Sequence, residues 1–159
     1  VNLSRKLVVF SLDECYYALD LSVVERTEFM VEVTHLPRAP EIVVGVIDVR
    51  GRIIPVLNIR KRFRLPERVT ALSDQLLIVR TKRRTVALVV DAVRSVMERS
   101  PSEISEPVTV VPGIEYVKGV VKFAEGMIFI HDLDDFLSLE EERTLESAIG
   151  WEEPTELQE

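Results

Sequence analysis

A chain of 159 residues, 47% hydrophobic and 30% charged, is long enough to bury one real core, and its Ile, Val and Leu content is far above the disordered range. Its net charge of −7, from 27 acidic and 20 basic residues, argues against nucleic acid as a partner, because phosphate binding needs a clustered excess of cations. A single cysteine forms no intrachain disulfide, no apolar run nears the roughly 18 residues that span a bilayer, and residues 1–6 lack the apolar stretch of a secretory leader. A reducing, cytoplasmic setting without direct membrane insertion is the expectation.

Short β-branched runs dominate the chain order. Residues 7–10 (Leu-Val-Val-Phe), 16–19, 43–47 and 53–57 read as strands, the last two joined at Arg50-Gly51. Residues 58–63 carry Ile59, Arg62 and Phe63 at helical spacing, and Pro66 stops that short helix. Strands resume at 76–79, 86–90, 117–123 and 127–130, with turn chemistry at Arg83-Arg84 and Glu125-Gly126. A helix follows, capped by Asp132 or Asp134, with Leu133, Phe136, Leu137, Leu145, Ala148 and Ile149 on one face and Gly150 as its stop. Residues 151–159 form an acidic tail expected to be flexible. About ten short strands with short connections favour barrels or a sandwich over alternating βα units.

The second half echoes the first. Shifted by 74 positions, Gly45 falls on Gly119, Val46 on Val120, Ile47 on Val121, Ile54 on Ile128, Val56 on Ile130, Asn58 on Asp132 and Ile59 on Leu133. Shifted by 69, Leu7 meets Leu76, Val9 meets Ile78, Ala18 meets Ala87 and Leu19 meets Leu88. Two similar units are implied. Gly51 falls on Glu125 and misses Gly126 by one residue, so the central hairpin turns are expected to differ in length.

Catalytic constellations are missing from the pattern: no GxGxxG, no phosphate loop, no GxSxG elbow and no CxxC occurs. His131, Asp132, Asp134 and Asp135 are the best metal-ligating set, but carboxylates between a strand and a helix are favoured there as N-caps, and capping is the preferred reading. No metal, cofactor or catalytic residue is expected. His35, beside Pro37 and Pro40, reads as a loop histidine. The basic runs around Arg60, Lys61, Arg62 and Arg64 and at Lys82, Arg83 and Arg84 read as solvated charge, with a patch for an acidic partner surface as the alternative.

Residues 44–60, Val-Gly-Val-Ile-Asp-Val-Arg-Gly-Arg-Ile-Ile-Pro-Val-Leu-Asn-Ile-Arg, closely resemble the CheW family of chemotaxis coupling proteins. Residues 8–10, 17–20 and Val24 upstream, and 86–91, Val93, Val96, Lys118 and Gly119 downstream, support the resemblance, which runs from about Leu7 to Leu145. It implies a mainly β fold of two five-stranded SH3-like β-barrels packed together, with short helices and a C-terminal helix. One CheW-like domain would cover 1–150, its first barrel mostly 7–65 and its second mostly 75–133, with strand exchange between them allowed.

The implied function is that of a non-catalytic scaffold. It would join the cytoplasmic tip of chemoreceptors, the methyl-accepting chemotaxis proteins, to the regulatory domain of the CheA histidine kinase, with other CheW-like proteins as further partners in arrays. Arg50 and Gly51 match the family's Arg-Gly turn, implicated in receptor coupling; Val24 and Val96 match apolar positions resembling its receptor-facing groove. Two residues after Val24 the family usually has a glutamate, whereas this chain has Arg26, with Glu25 one position earlier. Asp48 stands where the family usually has an asparagine. The alternatives are a regulatory CheW-like domain of a larger kinase or adaptor, or a small β-barrel binding a metabolite or oligonucleotide.

Overall fold

The computed structural model describes residues 3–106, 117–123 and 126–150, so the expectations for Glu125 and for the tail 151–159 lie outside the described residues. Eleven strands are described: β1 (Arg5–Leu12), β2 (Cys15–Asp20), β3 (Val24–Phe29), β4 (Val43–Val49), β5 (Arg52–Leu57), β6 (Gln75–Arg80), β7 (Thr85–Val90), β8 (Ala92–Arg99), β9 (Ile104–Ser105), β10 (Val117–Phe123) and β11 (Gly126–His131). Two helices accompany them, α1 (Ile59–Arg62) and α2 (Leu139–Gly150). The strands form a six-stranded sheet, in the order β8-β1-β2-β11-β10-β9, and a five-stranded sheet, β3-β6-β7-β5-β4. The mainly β, double-sheet architecture expected from the sequence is the one observed.

The sequence echo is physical. Replacing β1, β2, β11 and β10 by their echoes β6, β7, β5 and β4 turns the first sheet order into the second, with β8 taking the place of β3. Each sheet has one parallel pair, β2 with β11 and β5 with β7, and antiparallel neighbours elsewhere. Beyond β10 lies β9, and the Thr34–Val46 bridge stands in the corresponding place beyond β4. The β1–β2 hairpin therefore lies in the sheet completed by β10 and β11, while β6–β7 lies with β4 and β5. Val49 pairs with Arg52 and Phe123 with Gly126, so the two central hairpins are equal in length. That corrects the expectation drawn from Gly51: pairing follows strand register, with Gly51 inside its turn and Gly126 the first residue of β11.

Strand alternation sends side chains to two faces, and both are buried. One face of each sheet fills its own interior: Leu7, Val9, Ala18, Val121, Ile128 and Ile130 in the first, Leu76, Ile78, Ala87, Ile47, Ile54 and Val56 in the second. These are six echo pairs, position for position. The other face of both sheets meets in a central cluster that includes Phe10, Leu19, Leu57, Leu77, Leu88 and Phe136. Each large side chain buried there stabilises the fold by about 1.5–3 kcal/mol, so the sheets hold one another through a shared core.

The C-terminal segment seals that core in two steps. Asp132 accepts the Asp134 N–H at 3.0 Å and starts a single 3-10 turn at Leu133–Asp135, as Asn58 accepts the Arg60 N–H at 3.2 Å to start α1. The longer helix begins only at Leu139, where Ser138 Oγ accepts the Glu141 N–H and Glu141 Oε1 accepts the Ser138 N–H, at 3.1 and 2.8 Å. The expected cap at Asp132 or Asp134 thus starts the turn, and the Ser-Leu-Glu-Glu capping box starts the helix. Leu145 and Ala148 are buried as expected, but Ile149 is exposed. Two ion pairs fasten α2, Arg62 of α1 to Glu141 at 2.5 Å and Arg84 of the β6–β7 turn to Glu142 at 3.2 Å. Ser138→Ala is expected to cost about 1 kcal/mol in thermal unfolding through loss of the cap; no change in midpoint would show α2 to be held by its packing and ion pairs without the cap.

Candidate protein-protein interface

The β4–β5 turn has both central residues in the left-handed region, Arg50 at φ 53° and Gly51 at φ 85°. Such a two-residue turn matches the twist of its strands, and a glycine makes its second position free of strain. Asp48 Oδ1 accepts the Gly51 N–H at 2.8 Å and holds the turn closed. An asparagine side-chain oxygen would accept the same bond, so Asp48 preserves the turn's geometry while adding a charge. Arg50 is carried outward into solvent.

The edge strand β3 sorts Val24, Glu25 and Arg26 by a bulge. Val24 faces Val79 and Arg26 faces Ile78, leaving Glu25 as the extra residue. Val24 is half-buried against the central cluster. Glu25 accepts from Arg52 Nη1 and from Thr85 Oγ1, both at 3.2 Å, and Arg52 also donates to Thr85 at 2.9 Å. Arg26 points the other way and pairs with Glu28, two residues along the same face. Arg26, Glu28, Asp48 and Arg50 share a surface groove of about 270 Å³ with Val31, Val49, Ile47 and Leu76. Val96 is 58% exposed on β8 in the other sheet, opposite Val8. Of the six candidate residues, Arg26 and Arg50 meet in one groove, Gly51 shapes its rim, and Val96 stands in a different sheet. Glu28 is not legible as a partner in the sequence alone, although its i, i+2 relation to Arg26 signals it once β3 is known to be a strand.

The basic runs divide. Lys82 and Arg83 are exposed at the β6–β7 tip, whereas Arg60 is buried, which corrects the reading of its run as solvated charge. Its guanidinium donates to Asp13 at 2.9 Å, to the Pro66 carbonyl at 3.0 Å and to Asp91 at 2.8 and 3.1 Å. Arg68 reaches Asp91 at 2.5 Å and Asp74 at 2.6 and 3.1 Å. Burial alone would raise the Asp91 pKa, but the Asp13 N–H and the two guanidinium groups outweigh it and hold the carboxyl below its ordinary value.

Where shifts are resolved, they move the pKa further from 7. Burial, with Cys15 and Asp13 adding to it, pushes the Tyr17 phenol up to about 12. Asp20, Asp91, Glu103 and Glu141 are lowered, and Arg60 and Arg68 are raised. Each stays in its usual charge state near pH 7, the phenol neutral and the carboxylates and guanidinium groups charged. His131 is buried among rings, with its centroid 4.2 Å from Phe63, 5.4 Å from Tyr17 and 5.8 Å from Phe136. Asp132 and Asp134 serve as acceptors for the N–H groups of Asp134 and Lys82. Among the described residues, no group of three or more His, Cys, Asp or Glu is placed to hold a metal ion, and no helix is long and apolar enough to cross a membrane.

These features define a duplicated, barrel-like β module with a shared core and charged turns and edges at its surface. The chain belongs to the CheW-like domain family, whose pattern it matches over residues 6–141. It is 30% identical over 142 residues to the Chemotaxis protein CheW of Treponema pallidum (strain Nichols), covering 86% of this chain and 84% of that protein. Against the Chemotaxis protein CheW of Rhizobium meliloti (strain 1021) it is 25% identical, covering 88% and 92%. The crystal structure of the scaffolding protein TtCheW from Thermoanaerobacter tengcongensis superposes with a TM-score of 0.78 at 33% identity, covering 87% of this chain and 96% of that one.

Proposed function

We propose that this chain is a non-catalytic cytoplasmic adaptor of chemotaxis-type signalling that couples the tip of chemoreceptors to the regulatory domain of a CheA histidine kinase. The observation that carries the reading is the likeness to proteins named Chemotaxis protein CheW along most of both lengths, together with a solved relative described as a scaffolding protein. The local geometry supports it: a rigid two-sheet body carries an outward arginine on a tight, closed turn. Held at fixed register between two partners, such a body passes on a change in one of them by binding their states unequally. Arg50, with Arg26, Val24 and Val96, belongs on the receptor side of this reading; other CheW-like domains are further partners in an array.

Titration calorimetry with a receptor cytoplasmic fragment and, separately, with the kinase regulatory domain tests the reading. Both should bind, and Arg50→Ala should weaken the receptor contact about 10-fold through loss of a charge-assisted pair. A folded chain that binds neither partner overturns the proposal.

A further inference from the structure

The groove between β3 and the β4–β5 turn has a floor of Ile47 and Leu76, which belong to the interior of the five-stranded sheet, with Val31 and Val49 beside them. The charges above that floor differ in how far they are committed. Asp48 is engaged by the Gly51 N–H, and Glu28 and Arg26 are engaged with each other. Arg50 makes no side-chain hydrogen bond or ion pair within the described residues. A guanidinium left open over an aliphatic floor fits a carboxylate carried next to an aliphatic side chain, the acid meeting the arginine while its neighbour covers Val31 and Val49.

Resting on the receptor-coupling reading above, we infer that this groove receives an acidic residue of the receptor tip between Arg50 and Arg26, and that Glu28 is its built-in competitor. Glu28 already gives Arg26 the kind of partner the receptor would bring. An incoming carboxylate therefore gains Arg50 outright and shares or displaces Glu28 at Arg26. A surface without an acid at that point gains nothing from either arginine and meets Glu28 as well. The Arg26–Glu28 pair thus sets selectivity for an acidic receptor, and it does so by lowering affinity for every partner.

Calorimetry with the full chain and the receptor fragment tests this through three variants. Glu28→Gln should bind the receptor about 5-fold more tightly, Arg26→Gln about 5-fold more weakly, and the double variant should fall between the two, because without Arg26 the removal of Glu28 relieves only its repulsion of the incoming acid. Both positions lie in a solvent-facing ion pair, so thermal midpoints should stay close to that of the parent chain. Glu28→Gln that binds the receptor equally or less well, with the midpoint unchanged, overturns the inference. Equal changes with the kinase domain overturn it too, since the groove would then belong to that contact. A parent chain that fails to bind the receptor removes the coupling reading and this inference together; a parent chain that binds while all three variants match it removes the inference alone.

Discussion

Arg60→Ala is expected to destabilise the chain by about 3 kcal/mol, at the lower end of the range for removing one member of a buried ion pair. The side chain of Arg60 is 8% exposed, and its two carboxylate partners, Asp13 and Asp91, are 37% and 26% exposed. Alanine would leave Asp13 without its guanidinium beside an Asp91 held by Arg68 alone among the cations, and the Pro66 carbonyl would lose its donor. Partial access of water to the acids is what keeps the loss from the top of the range. Lys61→Ala, one residue on and exposed, should cost no more than about 0.5 kcal/mol. Urea unfolding at neutral pH measures both. The sign of the pH dependence is set by Asp91, whose folded pKa lies below its unfolded one. Its contribution is fully present above the unfolded value near 4 and is lost as pH falls through the lower folded value. Arg60→Ala should flatten that acid limb of the stability curve. A loss under about 1 kcal/mol, with the acid limb unchanged, would show the network to be ornamental.

That ion pair has a counterpart with its signs exchanged. Shifted by 74, Arg60 falls on Asp134, and shifted by 69, Asp13 falls on Lys82. Arg60 holds Asp13 at the tip of the β1–β2 hairpin; Asp134 accepts the Lys82 N–H at 2.8 Å at the tip of β6–β7, with the ammonium 4.0 Å away. Each hairpin is thus tied to the helical turn of its own repeat while its strands lie in a sheet completed by the other repeat. A hairpin seated in the wrong slot would set acid against acid or base against base. The charge difference between otherwise similar repeats distinguishes two hairpins that their apolar patterns alone would make interchangeable.

Burial separates the parts of the fold that are legible in the sequence from those that are not. Eight strands are runs buried on one or both faces, so their apolar residues announce them. β3 (Val-Glu-Arg-Thr-Glu-Phe) and β8 (Ala-Val-Arg-Ser-Val-Met-Glu-Arg) escape a reading by apolar runs, because each lies at a sheet edge, mixes charged with apolar residues and has no fully buried position. They carry Val24, Glu25, Arg26 and Val96, so family resemblance names the candidate residues without giving their facing. Whether Glu25 or Arg26 enters the groove depends on a bulge in β3 that only pairing with β6 defines. Arg60 is the other kind of miss. Its partners lie 47 and 31 residues away, and nothing in a basic run announces that one member turns inward.

Gly45→Ala and Gly119→Ala, echo positions in the two repeats, are expected to differ widely in cost. Both glycines are buried at register shifts, where β4 and β10 each meet a further, sixth segment of chain. A Cβ on Gly45 would lie 2.2 Å from the Thr34 carbonyl oxygen and 2.8 Å from Val33 Cγ1. That carbonyl accepts the Val46 N–H at 2.8 Å, and the Thr34 N–H donates back to Val46 at 2.8 Å, so the methyl can be accommodated only by breaking the bridge. On Gly119 the nearest atom is Ile104 Cγ2 at 2.8 Å, a side-chain methyl on the two-residue strand β9. There Ile104 on its short strand must move, but no hydrogen-bonded backbone group stands in the way. Gly45→Ala should therefore cost at least about 3 kcal/mol and Gly119→Ala about 1 kcal/mol, part of it offset because alanine restricts the unfolded chain. Denaturant unfolding of the two variants decides the matter. Equal losses would mean that β9 is as rigidly seated as the Thr34 bridge, and that the two sheets end in equally firm sixth segments.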